Sequence, residues 1–103
     1  MWLENVYKKF NNGIFLIIDY AIDARRYYSN INSDGTLIAY KNQKASSDFL
    51  QSPGDCDLTC HLCNEILVNS AKRIGFEYEG FVKQGEALLS LGLAKELFEI
   101  QKD

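Results

Sequence analysis

Three cysteines and the only histidine of the chain fall within eight residues, Cys56-Asp57-Leu58-Thr59-Cys60-His61-Leu62-Cys63. The sulfur spacing is C-x3-C-x2-C, and three thiolates so placed can hold three irons of a cubane cluster and leave the fourth open. A zinc site from Cys56, Cys60, Cys63 and His61 is a poorer arrangement, because the adjacent Cys60 and His61 rarely reach one ion. A second chemical candidate is Asp19-Tyr20, which follows the apolar run Ile14-Phe15-Leu16-Ile17-Ile18. In open α/β sheets ligands sit beyond the carboxyl ends of strands, so a carboxylate and a phenol there could orient a substrate. The alternative is local: Asp19 caps the next turn and Tyr20 packs at the sheet edge.

The elements that would position these groups can be read from periodicity. Trp2, Leu3, Val6, Tyr7 and Phe10 recur at helical spacing, and Asn11-Asn12-Gly13 predicts the end of that helix near Asn12. The helix has no N-cap before it, as if sequence were missing upstream. Ile14 to Ile18 shows no alternation, which predicts a strand buried on both faces of a parallel sheet. Residues 21–56 read as a long loop punctuated by Asp34-Gly35, Ser46-Ser47 and Pro53-Gly54, with Thr36 to Tyr40 a short strand or merely extended. Leu62, Ile66, Leu67, Ala71 and Ile74 predict a helix over 60–74 that stops at Gly75. Phe76 to Val82 alternates at period two and predicts a strand; Glu86 to Gln101 predicts helix, broken at Gly92. The order is helix, strand, long loop, helix, strand, helix, an α/β arrangement within residues 1–103.

Composition narrows the function classes. A formal charge of −3 and a pI near 5.1, with basic residues only in pairs such as Lys8-Lys9, Arg25-Arg26 and Lys72-Arg73, disfavour a nucleic-acid partner. The longest apolar run is far below the ~20 residues that cross a bilayer, and the N-terminus is too charged for a signal peptide. The expectation is a cytoplasmic protein without a membrane partner, whose odd number of cysteines are free thiols or ligands rather than disulfides. At 103 residues the chain is one domain at most, short for an enzyme that must enclose a nucleotide-sized cofactor.

The cysteine spacing is that of radical S-adenosylmethionine enzymes, but their aromatic residue before the last cysteine is Leu62 here. Their Gly-Gly-Glu segment has no counterpart, and 103 residues cannot form their barrel. Chance spacing of three small, semi-buried residues competes with that reading.

Residues other than cysteine carry a broader likeness. Gly13 to Tyr20 is similar to a glycine, apolar strand and I-D-Y-G end; Asp34-Gly35-Thr36-Leu37 with Tyr40 is like a G-T-L-x-x-Y segment. Pro53-Gly54-x-x-Asp57-Leu58-Thr59-x-His61 is the most specific piece, and Gln84, Leu88-Leu89 and Leu91-Gly92 close the series. In this order the pieces resemble the C-terminal part of the MidA-like class I S-adenosylmethionine-dependent methyltransferases, the family of the mitochondrial complex I assembly factor that methylates an arginine. The resemblance implies the C-terminal portion of a Rossmann-like fold, S-adenosylmethionine as cofactor, and a protein substrate, in that family a respiratory complex I subunit. Eukaryotic members are mitochondrial. It further implies Asp19 and Tyr20 as catalytic residues at the strand end, with Asp57, Thr59 and His61 contacting the acceptor or organising the loop. Helix capping by Asp57 or Thr59, and a bracing hydrogen bond from His61, are the local alternatives. The chain departs from the family at Ala21, at Gln43 where a histidine is expected, and at His61-Leu62-Cys63-Asn64 in place of H-V-D-F. The glycine-rich loop and the acidic residue that hold the methyl donor are not found, which places them upstream of Met1. The expectation is a partial methyltransferase domain, inactive alone. An interaction module, with a separately encoded N-terminal half or another copy of itself as partner, is the alternative; the iron–sulfur protein is a third.

Overall fold

A computed structural model describes residues 2–102. Helix α1 (Trp2–Tyr7) turns its apolar side onto the longest helix of the central region, α3 (Asn64–Ile74), and buries Leu3 between them. It is shorter than its periodicity predicts. Lys9 and Phe10 close with backbone bonds to Val6 and Tyr7, three residues back, so the apolar stripe continues to Phe10 in a turn rather than a helix. On its outer side the Lys8 ammonium pairs with Glu4 at 3.1 Å and holds the Glu4 carboxyl below its ordinary value.

Helix α3 ends as its sequence dictates. The Gly75 amide donates to Lys72, and the Phe76 amide reaches back to the Ala71 carbonyl at 3.1 Å, a Schellman closure that requires the positive φ of Gly75, +124°. The bare Cα also lets Tyr7 approach: a β-carbon at Gly75 would sit 2.6 Å from the Tyr7 hydroxyl oxygen. The turn then delivers Phe76 into a cluster of rings. Tyr7 and Phe76 meet edge to face at 5.0 Å between centroids, and Phe15 lies 5.9 Å from Trp2, 5.9 Å from Phe10 and 6.0 Å from Phe76.

Two small sheets flank this centre. Strand β1 (Ala21–Ile22) runs parallel to β5 (Leu62–Cys63), with Ala21 opposite Leu62 and Ile22 opposite Cys63. Each strand passes at once into a helix: β1 into the one-turn α2 (Ala24–Tyr27), capped by Asp23, and β5 into α3. Glu65 on α3 fastens the two junctions by accepting the Ala24 amide at 2.8 Å. The second sheet is antiparallel, with β2 (Ile38–Lys41) between β3 (Lys44–Ser46) and β4 (Asp57–Thr59). Asn42 and Gln43 make the two-residue turn between β2 and β3 with φ of 50° and 62°, the left-handed pair that suits a twisted hairpin. Residues 21–56 are therefore not featureless: they hold two strands of a hairpin, β1, α2 and a short 3₁₀ turn at Asn30–Asn32.

The C-terminal pair α4 (Gln84–Ser90) and α5 (Leu93–Lys102) packs on itself and breaks at Gly92, φ +98°, as its periodicity predicts. The two apolar segments expected to be strands are not. Residues 14–18 and 76–82 belong to no strand, because among the described residues no neighbouring strand pairs with either one. Mixed helices and strands with a small parallel sheet are compatible with an α/β methyltransferase-like fold. No helix among the described residues is long and apolar enough to cross a membrane.

Replacing Gly75 with alanine should destabilise the chain by about 1–3 kcal/mol through backbone strain and displacement of Tyr7. Urea denaturation followed by tyrosine and tryptophan fluorescence would measure it, and an unchanged midpoint would contradict the packing of α1 on α3.

Candidate functional site

The hairpin and β4 place Asp57 and Thr59, and the turn after them places His61. Register sets Tyr40 opposite Asp57 and Ile38 opposite Thr59, so Asp57 and Thr59 lie on a strand. Neither caps a helix, because two further strand residues intervene and Cys63 occupies the position before α3. Beyond β4 the chain turns at Cys60-His61. There the buried Thr36 hydroxyl accepts the His61 backbone N–H at 3.1 Å, which locks the start of β2 to the turn. The turn is braced by the histidine's backbone N–H and not by the side chain that the sequence pointed to. Its Nδ1 is buried and has no hydrogen-bond partner among the described residues.

Asp19 accepts the Tyr20 amide on its own side chain at 2.7 Å, and its carbonyl accepts the Ala21 amide at 3.1 Å. This is a local turn just before β1. Both side chains are exposed. The Tyr20 carbonyl accepts the Leu62 amide at 2.9 Å, which brings the backbone after Asp19 beside the residue that follows His61.

Two depressions use these groups separately. The larger, about 430 Å³ and open, is lined by Tyr40, Lys41, Asn42, Gly54, Asp55, Cys56 and Asp57. In it Lys41 pairs with Asp55 at 3.5 Å, whereas Asp57 has no ion-pair partner among the described residues. The smaller, about 240 Å³, is apolar and holds His61 with Leu3, Tyr27, Cys63 and Ser70 among its walls. Asp19 and Tyr20 line neither. Lys41 was not singled out by sequence reasoning, and Thr36 entered only as part of the Asp34-Gly35-Thr36-Leu37 likeness, with no role of its own.

The thiols are dispersed in role. Cys56 donates to the Ser52 carbonyl at 3.4 Å, Cys60 is exposed, and Cys63 is buried beside Glu65. Among the described residues no three histidine, cysteine or acidic side chains gather as a metal site would require, which corrects the iron–sulfur reading of Cys56, Cys60 and Cys63.

A parallel strand pair whose strands pass directly into helices defines an α/β protein, and the comparison with family models is more specific. Residues 1–82 match the family described as "Putative S-adenosyl-L-methionine-dependent methyltransferase", and the chain belongs to that family. No curated protein and no solved structure matches it. The family's donor does not fit the residues at hand. A dinucleotide-like phosphate or amino-acid cradle is made where a strand turns through glycines into a helix. The two such junctions here run Ile22-Asp23-Ala24 and Cys63-Asn64, without glycine.

Thr36→Val keeps the shape but leaves the His61 amide without its acceptor, at a cost of about 1–3 kcal/mol. Hydrogen exchange at the His61 amide should accelerate, with the β2–β4 pairing loosened in step; unchanged exchange would remove Thr36 from this role. Anaerobic treatment with iron and sulfide should leave the protein colourless, whereas a stable absorption near the visible range would restore the cluster.

Proposed function

We propose that this chain is the acceptor-side, C-terminal portion of a MidA-like S-adenosylmethionine-dependent methyltransferase, and that it has no transfer activity alone. The observation that carries this is the family match over residues 1–82, joined to strand-to-helix junctions that lack a donor cradle. The donor-binding elements belong to polypeptide outside these 103 residues.

The acceptor in this reading is an arginine side chain of a protein, as in the complex I assembly factor that the sequence resembles. Guanidinium recognition favours a carboxylate that can take paired N–H bonds and an aromatic face for stacking. Asp57 and Tyr40 stand opposite each other on neighbouring strands at the larger depression, with Asp57 free of the Lys41–Asp55 pair. Thr59 ends the same strand, and the His61 amide ties the turn after it to Thr36. Asp19 and Tyr20, at the end of the extended segment, are assigned to the reacting side of the acceptor, where positioning rather than covalent chemistry governs transfer.

Calorimetric titration of the purified chain with S-adenosylmethionine should give no saturable heat. Saturable binding would overturn the assignment of the donor site to other polypeptide. In the assembled enzyme, Asp57→Asn should raise KM for an arginine peptide by about tenfold or more with a smaller effect on kcat, since a charged hydrogen-bond pair contributes about 1.5–3 kcal/mol; an unchanged KM would remove Asp57 from acceptor binding.

A further inference from the structure

The chain exposes much more surface than its mass requires. A folded monomer of this size exposes about 5,900 Å². This one exposes 9175 Å². The surplus, about 3,300 Å² on this one chain, exceeds the roughly 1,000–2,500 Å² that each partner commonly buries in an obligate complex. The radius of gyration, 18.0 Å, points the same way against about 13 Å for a compact domain of this length.

Much of the surplus has a definite chemistry. From residue 11 to 18, and again from 77 to 82, no backbone N–H or C=O is engaged by another described residue. In residues 14–18 the side chains alternate. Phe15 enters the ring cluster below, whereas Ile14, Leu16 and Ile18 are 83, 74 and 77% exposed on the other side. The segment leads through Asp19 and Tyr20 into β1, whose partner β5 is parallel. Parallel sheets are covered by helices on both faces, and here α1 and its rings supply cover on one face only.

We infer that residues 14–18 are an inner strand of a parallel sheet completed by a separate α/β unit, which brings strands to the open backbone edges and a helix to Ile14, Leu16 and Ile18. A second copy of the chain meets these needs less well. Pairing residues 14–18 across a twofold axis would run the strands antiparallel, satisfy one edge in each copy and leave both apolar faces bare. A strand-and-helix unit satisfies edges and face together. The inference rests on the proposed function in one respect: the unit that fits is the one that would also hold the methyl donor.

The test co-expresses this chain with the donor-binding half of a full-length family member and compares hydrogen exchange in the complex with that of the chain alone. The expected result is a one-to-one complex in which amides 14–18 exchange at least about 100-fold more slowly, because they pass from open to core protection. Leu16→Asp, which charges the open face and leaves the ring cluster untouched, should abolish the complex while the isolated chain keeps its circular dichroism. Leu50→Asp, at a residue also exposed but remote in sequence, should not. The inference is overturned if no complex forms, if a complex forms without protection at 14–18, or if the chain alone is a dimer with those amides protected. S-adenosylmethionine binding by the complex is read separately: an assembled, protected complex that binds none retires the methyltransferase reading and leaves the docking surface standing.

Discussion

The packing of five aromatic rings, Trp2, Tyr7, Phe10, Phe15 and Phe76, is the interaction on which the rest of this chain depends. The rings cover one another while staying partly in solvent, Phe15 and Phe76 half-buried and Trp2, Tyr7 and Phe10 exposed, and among the described residues Leu3, Ala39 and Cys63 are the hydrophobic residues that lose nearly all contact with solvent. Ring pairs of this kind add about 0.5–1.5 kcal/mol each beyond the area they cover. The cluster joins α1, the extended segment after it and the turn after α3, which lie far apart in sequence. Its geometry in turn requires Gly75, since only a residue without a β-carbon lets Tyr7 reach the end of α3 while Phe76 folds back.

From that anchor two small sheets are held rather than one continuous sheet. The parallel pair β1 and β5 is fastened by Glu65, and the antiparallel sheet by Thr36 on the His61 amide. Both fasteners are single polar contacts. Asp57, Thr59 and His61 therefore depend on the turn at Cys60-His61, where the His61 amide ties to Thr36 and the next amide, of Leu62, ties to Tyr20. Asp57 faces one depression and His61 another, so the two belong to one strand and turn without sharing a cavity.

An α/β protein that leaves Ile14, Leu16 and Ile18 in water, with the backbone beside them unpaired, exposes the features a folded core normally hides. The chain belongs to a family of putative S-adenosylmethionine-dependent methyltransferases, and its two strand-to-helix junctions among the described residues carry no glycine.

Much of the local structure was legible in the sequence. The helical stripe ending at Gly75, the break at Gly92, the turn at Asp34-Gly35 and the family likeness each rest on neighbouring residues, whose spacing and backbone preferences act over one or two turns of chain. Composition could also show that Ile14 to Ile18 is suited to a strand buried on both faces. Whether it becomes one is not a local property, because a strand is defined by hydrogen bonds to a neighbour, and among the described residues the tertiary structure gives that segment and residues 76–82 no strand to pair with. The same reason separates the two readings of the cysteines: spacing places three sulfurs within eight residues. Only the pairing of β4 with β2 and of β5 with β1 decides that Cys56, Cys60 and Cys63 end in three different surroundings.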